Sequence, residues 1–144
     1  MKKIILVIFL IFGILTFASY ESNLRKKISN YERIRDRMLE EVDGYGPENS
    51  DINQQFNDML DEELTQVYNL IKEKMSKTEK NNFVNKQRQW LKKREQQVAS
   101  STLDENGRSV IAGRAGGNVE IAEYKQITKK RLFELAKMYD KMKK

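Results

Sequence analysis

The densest run of hydrogen-bonding and aromatic groups in the chain is Asn85 to Glu95, NKQRQWLKKRE, built around the only tryptophan. Read as a helix, it sets Gln87, Trp90, Leu91 and Arg94 on one face, because positions three and four apart are neighbours there. An amide, an indole N–H and a guanidinium on one face fit two roles. One is a buried polar network that fixes how helices dock; the other is a binding surface anchored by an aromatic and an arginine. Two further groups interrupt apolar stripes at the same spacing: Asp61, Leu64 and Tyr68 upstream, and Thr128, Arg131 and Leu135 downstream. If the three faces converge, Asp61 is the natural partner of Arg94 or Arg131. The Tyr68 hydroxyl, Trp90 N–H and Gln87 amide would complete the network. These matching partners favour a helix-docking network over a ligand surface.

Other chemistries are poorly supplied. The sequence contains no His and no Cys, which removes the usual zinc, copper and thiol chemistries and leaves no unperturbed side chain titrating near neutral pH. No serine sits in a recognisable nucleophile elbow or tetrad, and the paired carboxylates lie beside lysines on helix faces, where they read as surface charge. Gly113-Arg114-Ala115-Gly116-Gly117 lacks the Gly-Lys-Ser/Thr ending of a phosphate loop and follows no strand, so it reads as a flexible connection. The expectation is a protein that is not an enzyme and needs no cofactor or metal. The basic blocks Arg25-Lys26-Lys27, Lys92-Lys93-Arg94, Lys129-Lys130-Arg131 and Lys141 to Lys144 alternate with acidic residues on predicted helices. They read as solvated faces, and nucleic acid is not an expected partner.

The first residues form a targeting signal. Met1-Lys2-Lys3 is a basic start, Ile4 to Phe17 is an apolar run of 14 residues, and Thr16-Phe17-Ala18 offers small residues for cleavage after Ala18. The run is shorter than the roughly 20 residues that span a bilayer, so membrane contact is expected only through this segment if it is not removed. No cysteine follows it for lipid attachment. Export is therefore expected, to a periplasmic or secreted location. The formal charge of +6 from 27 basic and 21 acidic residues drops to +4, or 25 against 21, once Lys2 and Lys3 are gone. The remaining 126 residues, Ser19 to Lys144, fit one domain that must hold its core without disulfides.

These groups must be positioned by helices. Leu24, Ile28, Tyr31, Ile34, Met38 and Val42 recur at intervals of three and four from Ser22 to Val42, and Asp43-Gly44-Tyr45-Gly46-Pro47 ends that helix, with Gly44 suited to a left-handed cap. Asn49-Ser50-Asp51 supplies capping side chains for a second helix of about 24 residues, with Ile52, Phe56, Leu60, Leu64, Val67, Ile71 and Met75 as its stripe. Ser76-Lys77-Thr78-Glu79 matches a capping box and starts a third, which carries Phe83, Val84, Trp90, Leu91 and Val98. The short connection between them predicts an antiparallel hairpin. Ser100 to Asn118 reads as one long Gly-rich loop, with Asn106-Gly107 as a turn and Val110-Ile111 able to tuck back, before a last helix from Val119 to Met142. That helix carries Ile121, Tyr124, Ile127, Leu132, Leu135, Tyr139 and Met142. The predicted fold is all-α, an antiparallel bundle of about four helices.

The three polar groups carry a family resemblance. Asp61-x-x-Leu64-Thr65-x-x-Tyr68, then Gln87-Arg88-x-Trp90-Leu91-x-x-Arg94, then Ile127-Thr128-x-x-Arg131-x-x-x-Leu135 resemble, in order, the motifs of the LprI-like family, named after a lysozyme inhibitor. The resemblance spans Asp51 to Met142. Together with the leader (1–18), it divides the chain into an N-terminal helix and linker (19–50) and an LprI-like helical domain (51–144). It implies a small, exported helical protein of the bacterial envelope that binds a protein partner, lysozyme or another cell-wall hydrolase, by occlusion. Many relatives carry cysteines that look like disulfide partners; here the loop from Ser100 would be free of such a pin. Animal-type lysozymes are usually basic, so a +4 chain is not steered towards one, and binding would rest on a local patch. The candidates are Asp58, Asp61, Glu62 and Glu63 on the second helix, with Arg108 and Arg114 in the loop. The competing class is a structural or adhesion protein that self-associates through Ser22 to Val42 as a short coiled coil.

Overall fold

The structure, a computed structural model, describes residues 18–42 and 46–143. The expected leader, apart from Ala18, and the cap at Gly44 lie outside the described residues. Four helices follow one another: α1 (Tyr20–Glu41), α2 (Pro47–Glu73), α3 (Lys77–Ser100) and α4 (Gly113–Lys141). Apart from one isolated bridge between Leu103 and Ser109, no extended pairing occurs among the described residues, so the class is all-α.

The core forms where the apolar stripes meet. Leu24 and Ile28 of α1, Phe56, Leu60, Leu64, Val67 and Ile71 of α2, and Leu132, Leu135, Ala136 and Tyr139 of α4 pack into one cluster. From α3 only Phe83 joins them as a buried apolar residue. Backbone packing follows the same distribution: α2 lies most closely against α4, α1 packs on both, and α3 packs chiefly on α4. The reason is compositional, since the inward positions of α3 after Phe83 are Gln87, Trp90 and Arg94. Trp90 is half-buried, and Gln87 and Arg94 are buried.

Two helix starts differ from the sequence expectation. Helix α2 begins at Pro47, with Gly46 as N-cap and no side-chain cap from Asn49, Ser50 or Asp51. Proline suits the first helical position because its φ is already helical and its missing N–H would have no intrahelical partner there. Helix α4 begins six residues before Val119, at Gly113, so the last six residues of the expected loop, Gly113 to Asn118, belong to its first turns. Glycine weighed against a helix there on propensity. Its actual uses are a positive φ of 65° at Gly113 and a close approach at Gly116, where a Cβ would lie 2.7 Å from the Ile111 carbonyl oxygen. The capping box at Ser76 forms as expected: Ser76 N–H donates to Glu79 (2.9 Å) and Glu79 N–H to Ser76 Oγ (3.4 Å). The Glu79 carboxyl is held below its ordinary range, first by the Ser76 hydroxyl and then by the Ser76 backbone N–H.

The connection between α3 and α4 is a short, wound hairpin. The Asp104 carboxylate accepts from the N–H groups of Asn106 (2.9 Å) and Arg108 (2.8 Å). Gly107 takes φ 73° at the turn, and Val110 N–H donates to the Thr102 carbonyl (2.9 Å). The hairpin that was expected to be free is thus tied by its own backbone. Ile111 is half-buried, but Val110 points outward, 62% exposed.

Helix α1 is fastened at its N-terminus by α4. The Asp140 carboxylate accepts from both Tyr20 N–H and Glu21 N–H (2.8 Å each), and Ser19 Oγ accepts from Ser22 N–H (3.1 Å). Anionic capping of free N–H groups at a positive helix end is favourable on two counts, hydrogen bonding and the helix dipole. Tyr20 also packs edge-on against Tyr139, with ring centroids 5.1 Å apart. Substituting Asp140→Ala is expected to lower unfolding free energy by about 1 kcal/mol, with hydrogen exchange in the first turn of α1 rising most. A stability equal to wild type in chemical denaturation would remove Asp140 as the fastener.

Candidate functional site

The polar faces of α2, α3 and α4 meet at Arg94. Its Nη1 donates to Asp61 Oδ1 on α2 (2.7 Å) and to Thr128 Oγ1 on α4 (3.0 Å). The Tyr124 hydroxyl, one turn before Thr128, donates to the other Asp61 oxygen. The guanidinium lies over two rings, Tyr124 at 4.2 Å and Trp90 at 5.1 Å from Cζ to centroid. Arg94 is 7% exposed and Thr128 fully buried, whereas the Asp61 side chain keeps 39% of its exposure. A charge this deeply desolvated persists only when paired, and Asp61 is that pair. Burial first, and then the hydrogen bond to Asp61, push the Tyr124 hydroxyl well above the ordinary tyrosine range.

A second group sits about two turns earlier on α3. Gln87 Oε1 accepts from Arg131 Nη2 (3.0 Å) and Nε (3.2 Å), while Arg131 Nη1 reaches Glu134 (3.2 Å). Arg131 Cζ is 5.7 Å from the Trp90 ring centroid, so one indole lies near both guanidinium groups. Of the residues whose types pointed to a network, the structure brings Asp61, Arg94 and Thr128 together, and Gln87 with Arg131, with Trp90 between the two groups. Tyr68 is not hydrogen-bonded to them. It stacks on Phe83, ring centroids 5.0 Å apart and planes at 21°, with Lys72 Nζ 5.0 Å from its ring. The hydroxyl that reading assigned to Tyr68 comes instead from Tyr124. Its spacing of four from Thr128 and seven from Arg131 was the available signal. Asn57 was also missed: its buried amide donates to the Ile121 carbonyl (3.1 Å) and ties α2 to α4.

Between the Asp61–Arg94 pair and the Tyr68–Phe83 stack, α2 and α3 leave a groove of about 630 Å³. Its apolar walls are Leu64, Val84 and Leu91, and its polar lining includes Thr65, Asn69 and Gln87. Lys72, Arg88 and Arg94 contribute positive charge against Asp61 alone. No group of three or more His, Cys, Asp or Glu residues placed to hold a metal occurs among the described residues.

The residues expected to form a partner-binding patch are scattered. Asp58 and Glu62 are exposed one turn apart on α2, and Arg108 and Arg114 are exposed near the hairpin. Glu63 corrects the expectation: it is buried against α1 and paired with Lys27, so it faces into the molecule. The hydrogen bond to Glu63 raises the Lys27 ammonium above its ordinary value.

A family model described as Lysozyme inhibitor LprI matches residues 46–135, which includes every motif residue of the two polar groups. The chain belongs to the LprI family. Comparison with curated proteins and with solved structures found no match. The LprI match begins just before α2 and ends at Leu135, so α1 lies outside it while sharing the same core. The family's description is of an inhibitor, a protein that acts by binding.

The unequal burial of the central pair sets the order of mutant effects. Asp61→Ala leaves Arg94 charged and desolvated and is expected to cost about 3–5 kcal/mol. Arg94→Met leaves Asp61 able to hydrate and is expected to cost less, on the order of 1–2 kcal/mol. Chemical denaturation showing the reverse order would contradict this geometry. The raised Tyr124 value gives a pH signature. Below about pH 10, where the unfolded tyrosine still holds its proton, its contribution is complete; it is lost as pH rises towards the folded value, because the unfolded chain ionises first. Stability above pH 10 should therefore fall more steeply for wild type than for Tyr124→Phe; parallel curves would show that Tyr124 is not the group concerned.

Proposed function

We propose that this LprI-family chain is an exported, non-catalytic binding protein that inhibits lysozyme or another cell-wall hydrolase by covering its cleft. The family match over residues 46–135 carries the reading. Export is supported by the basic start and the 14-residue apolar run before Ala18, and no helix among the described residues is long and apolar enough to cross a membrane.

The contact surface we assign is the hairpin after α3. Leu103 (40% exposed) and Val110 (62% exposed) lie on its two arms, with Arg108 exposed at the turn between them. Outward apolar side chains on a backbone already wound around Asp104 make a preorganised knob, which limits the ordering cost of binding. Asp58 and Glu62 on α2 are the exposed acidic pair that a basic hydrolase would meet. Because the chain carries a net positive charge, attraction would be local and short-ranged, with weak salt dependence of the association rate.

The test is inhibition of lysozyme by the purified protein at low and moderate salt, with binding to purified peptidoglycan measured alongside. Inhibition is expected, and Leu103→Asp with Val110→Asp should weaken it by at least about tenfold, about 1.4 kcal/mol, with unchanged helicity. Undiminished lysozyme activity at excess protein would overturn the inhibitor reading.

A second reading, self-association through α1, rests on Ile34 (44% exposed) and Met38 (40% exposed). Leu24 and Ile28 of the same stripe are committed to the internal core, so the free seam is far shorter than a stable coiled coil needs. Sedimentation of wild type and Ile34→Lys separates the two: a dimer lost on substitution supports self-association, and a monomer in both excludes it.

A further inference from the structure

Arg94 has more donors than the fold uses. Both of its hydrogen bonds, to Asp61 and Thr128, come from Nη1. Its Nε is buried and has no acceptor, and Nη2 makes no hydrogen bond among the described residues. Nε–H and Nη2–H lie parallel along one edge of the guanidinium, the fork that binds a carboxylate through two bonds at once. Native structures rarely leave such a donor buried and unmatched, and each exception calls for an explanation, an absent partner being one. Arg94 is more than nine-tenths buried and lines the α2–α3 groove, and an anion that reaches Nε must displace the side chains covering it.

The groove supplies the rest of a site. Its volume of about 630 Å³ lies within the range of small-molecule sites, roughly 300–1,000 Å³. The negative charge of Asp61 is already matched by Arg94, which leaves the groove's other cations, Lys72 and Arg88, in excess. Leu91, one turn from Arg94, and Leu64, one turn from Asp61, add hydrocarbon on either side, with Val84 further along. Two parallel donors flanked by hydrocarbon match a planar carboxylate on an apolar body better than a phosphate, whose third oxygen would meet no donor at the fork.

We propose that the groove between α2 and α3 binds a small carboxylate carried on an apolar body, with the carboxylate on the Nε/Nη2 edge of Arg94 and the apolar part against Leu64, Val84 and Leu91. Lys72 and Arg88 attract the anion. This site is separate from the 101–112 hairpin and does not depend on hydrolase inhibition.

The test titrates the purified protein with N-acetyl-leucine and N-acetyl-phenylalanine, and with the amide of each, which keeps the body and removes the charge. Trp90 emission reports the site because the Arg94 guanidinium lies over its ring, and the Arg94 Nε–H resonance reports the fork directly. Both acids are expected to give saturable shifts in the two signals, with the amides at least about tenfold weaker. Val84→Phe, which fills the groove away from the network, should abolish the response. Lys72→Gln with Arg88→Gln should weaken the acids several-fold and leave the amides unchanged. Arg94→Lys, which keeps the charge and loses the fork, should erase the preference for acid over amide. If Arg94→Lys does not fold, the other two variants decide alone. No saturation with either acid, equal affinity for acid and amide, or full binding by Val84→Phe would overturn the proposal.

Discussion

The position of α3 depends on one guanidinium. Helices α1, α2 and α4 share an apolar core, but α3 adds only Phe83 to it as a buried apolar residue, near the end joined to α2. Eleven residues further on, Arg94 bonds at once to Asp61 of α2 and Thr128 of α4. Hydrophobic burial is non-directional, so Phe83 alone would hold one end of α3 and leave the other free to swing. A buried charge bonded to two helices is directional, and an error in register would leave it unmatched in a desolvated site. Trp90 and Tyr124 pack their rings against the guanidinium.

That anchor has consequences at both ends of the polar seam. Because α3 is fixed by polar groups and two aromatic residues, Phe83 and Trp90, it does not close against α2, and the groove between them persists. Beyond Arg94, α3 runs on to Ser100 and delivers the 101–112 hairpin, so the direction of α3 decides where Leu103, Arg108 and Val110 are presented. On the proposed reading, fold and function meet through this link: the polar residues of α2, α3 and α4 orient a surface that lies outside them.

Much of this was legible in the sequence because helical spacing is a strong signal. The four stripes, the Ser76 capping box and the polar groups on α2, α3 and α4 all follow from residues three and four apart. Pairing across helices was less legible. Tyr68 and Tyr124 both offer a hydroxyl on an inward face, and only the packing angle decides that Tyr124 reaches Asp61. Glu63 read as surface charge because its partner, Lys27, is 36 positions away on a helix outside the family motifs. The same holds for Asp140, which caps α1 from the far end of the chain. The start of α4 was hidden for a different reason: Gly113 and Gly116 serve a positive φ and a close backbone approach, and neither use shows in helix propensity.

Arg94, more than apolar burial, fixes the C-terminal half of α3. Native-state hydrogen exchange resolved by helix tests it directly, comparing wild type with Arg94→Met. Amides from about Trp90 to Ser100 are expected to lose protection while those of α1, α2 and α4 around Ile28, Leu60 and Leu132 keep theirs, because only α3 is released. Protection lost equally in all four helices, or retained throughout α3, would contradict it.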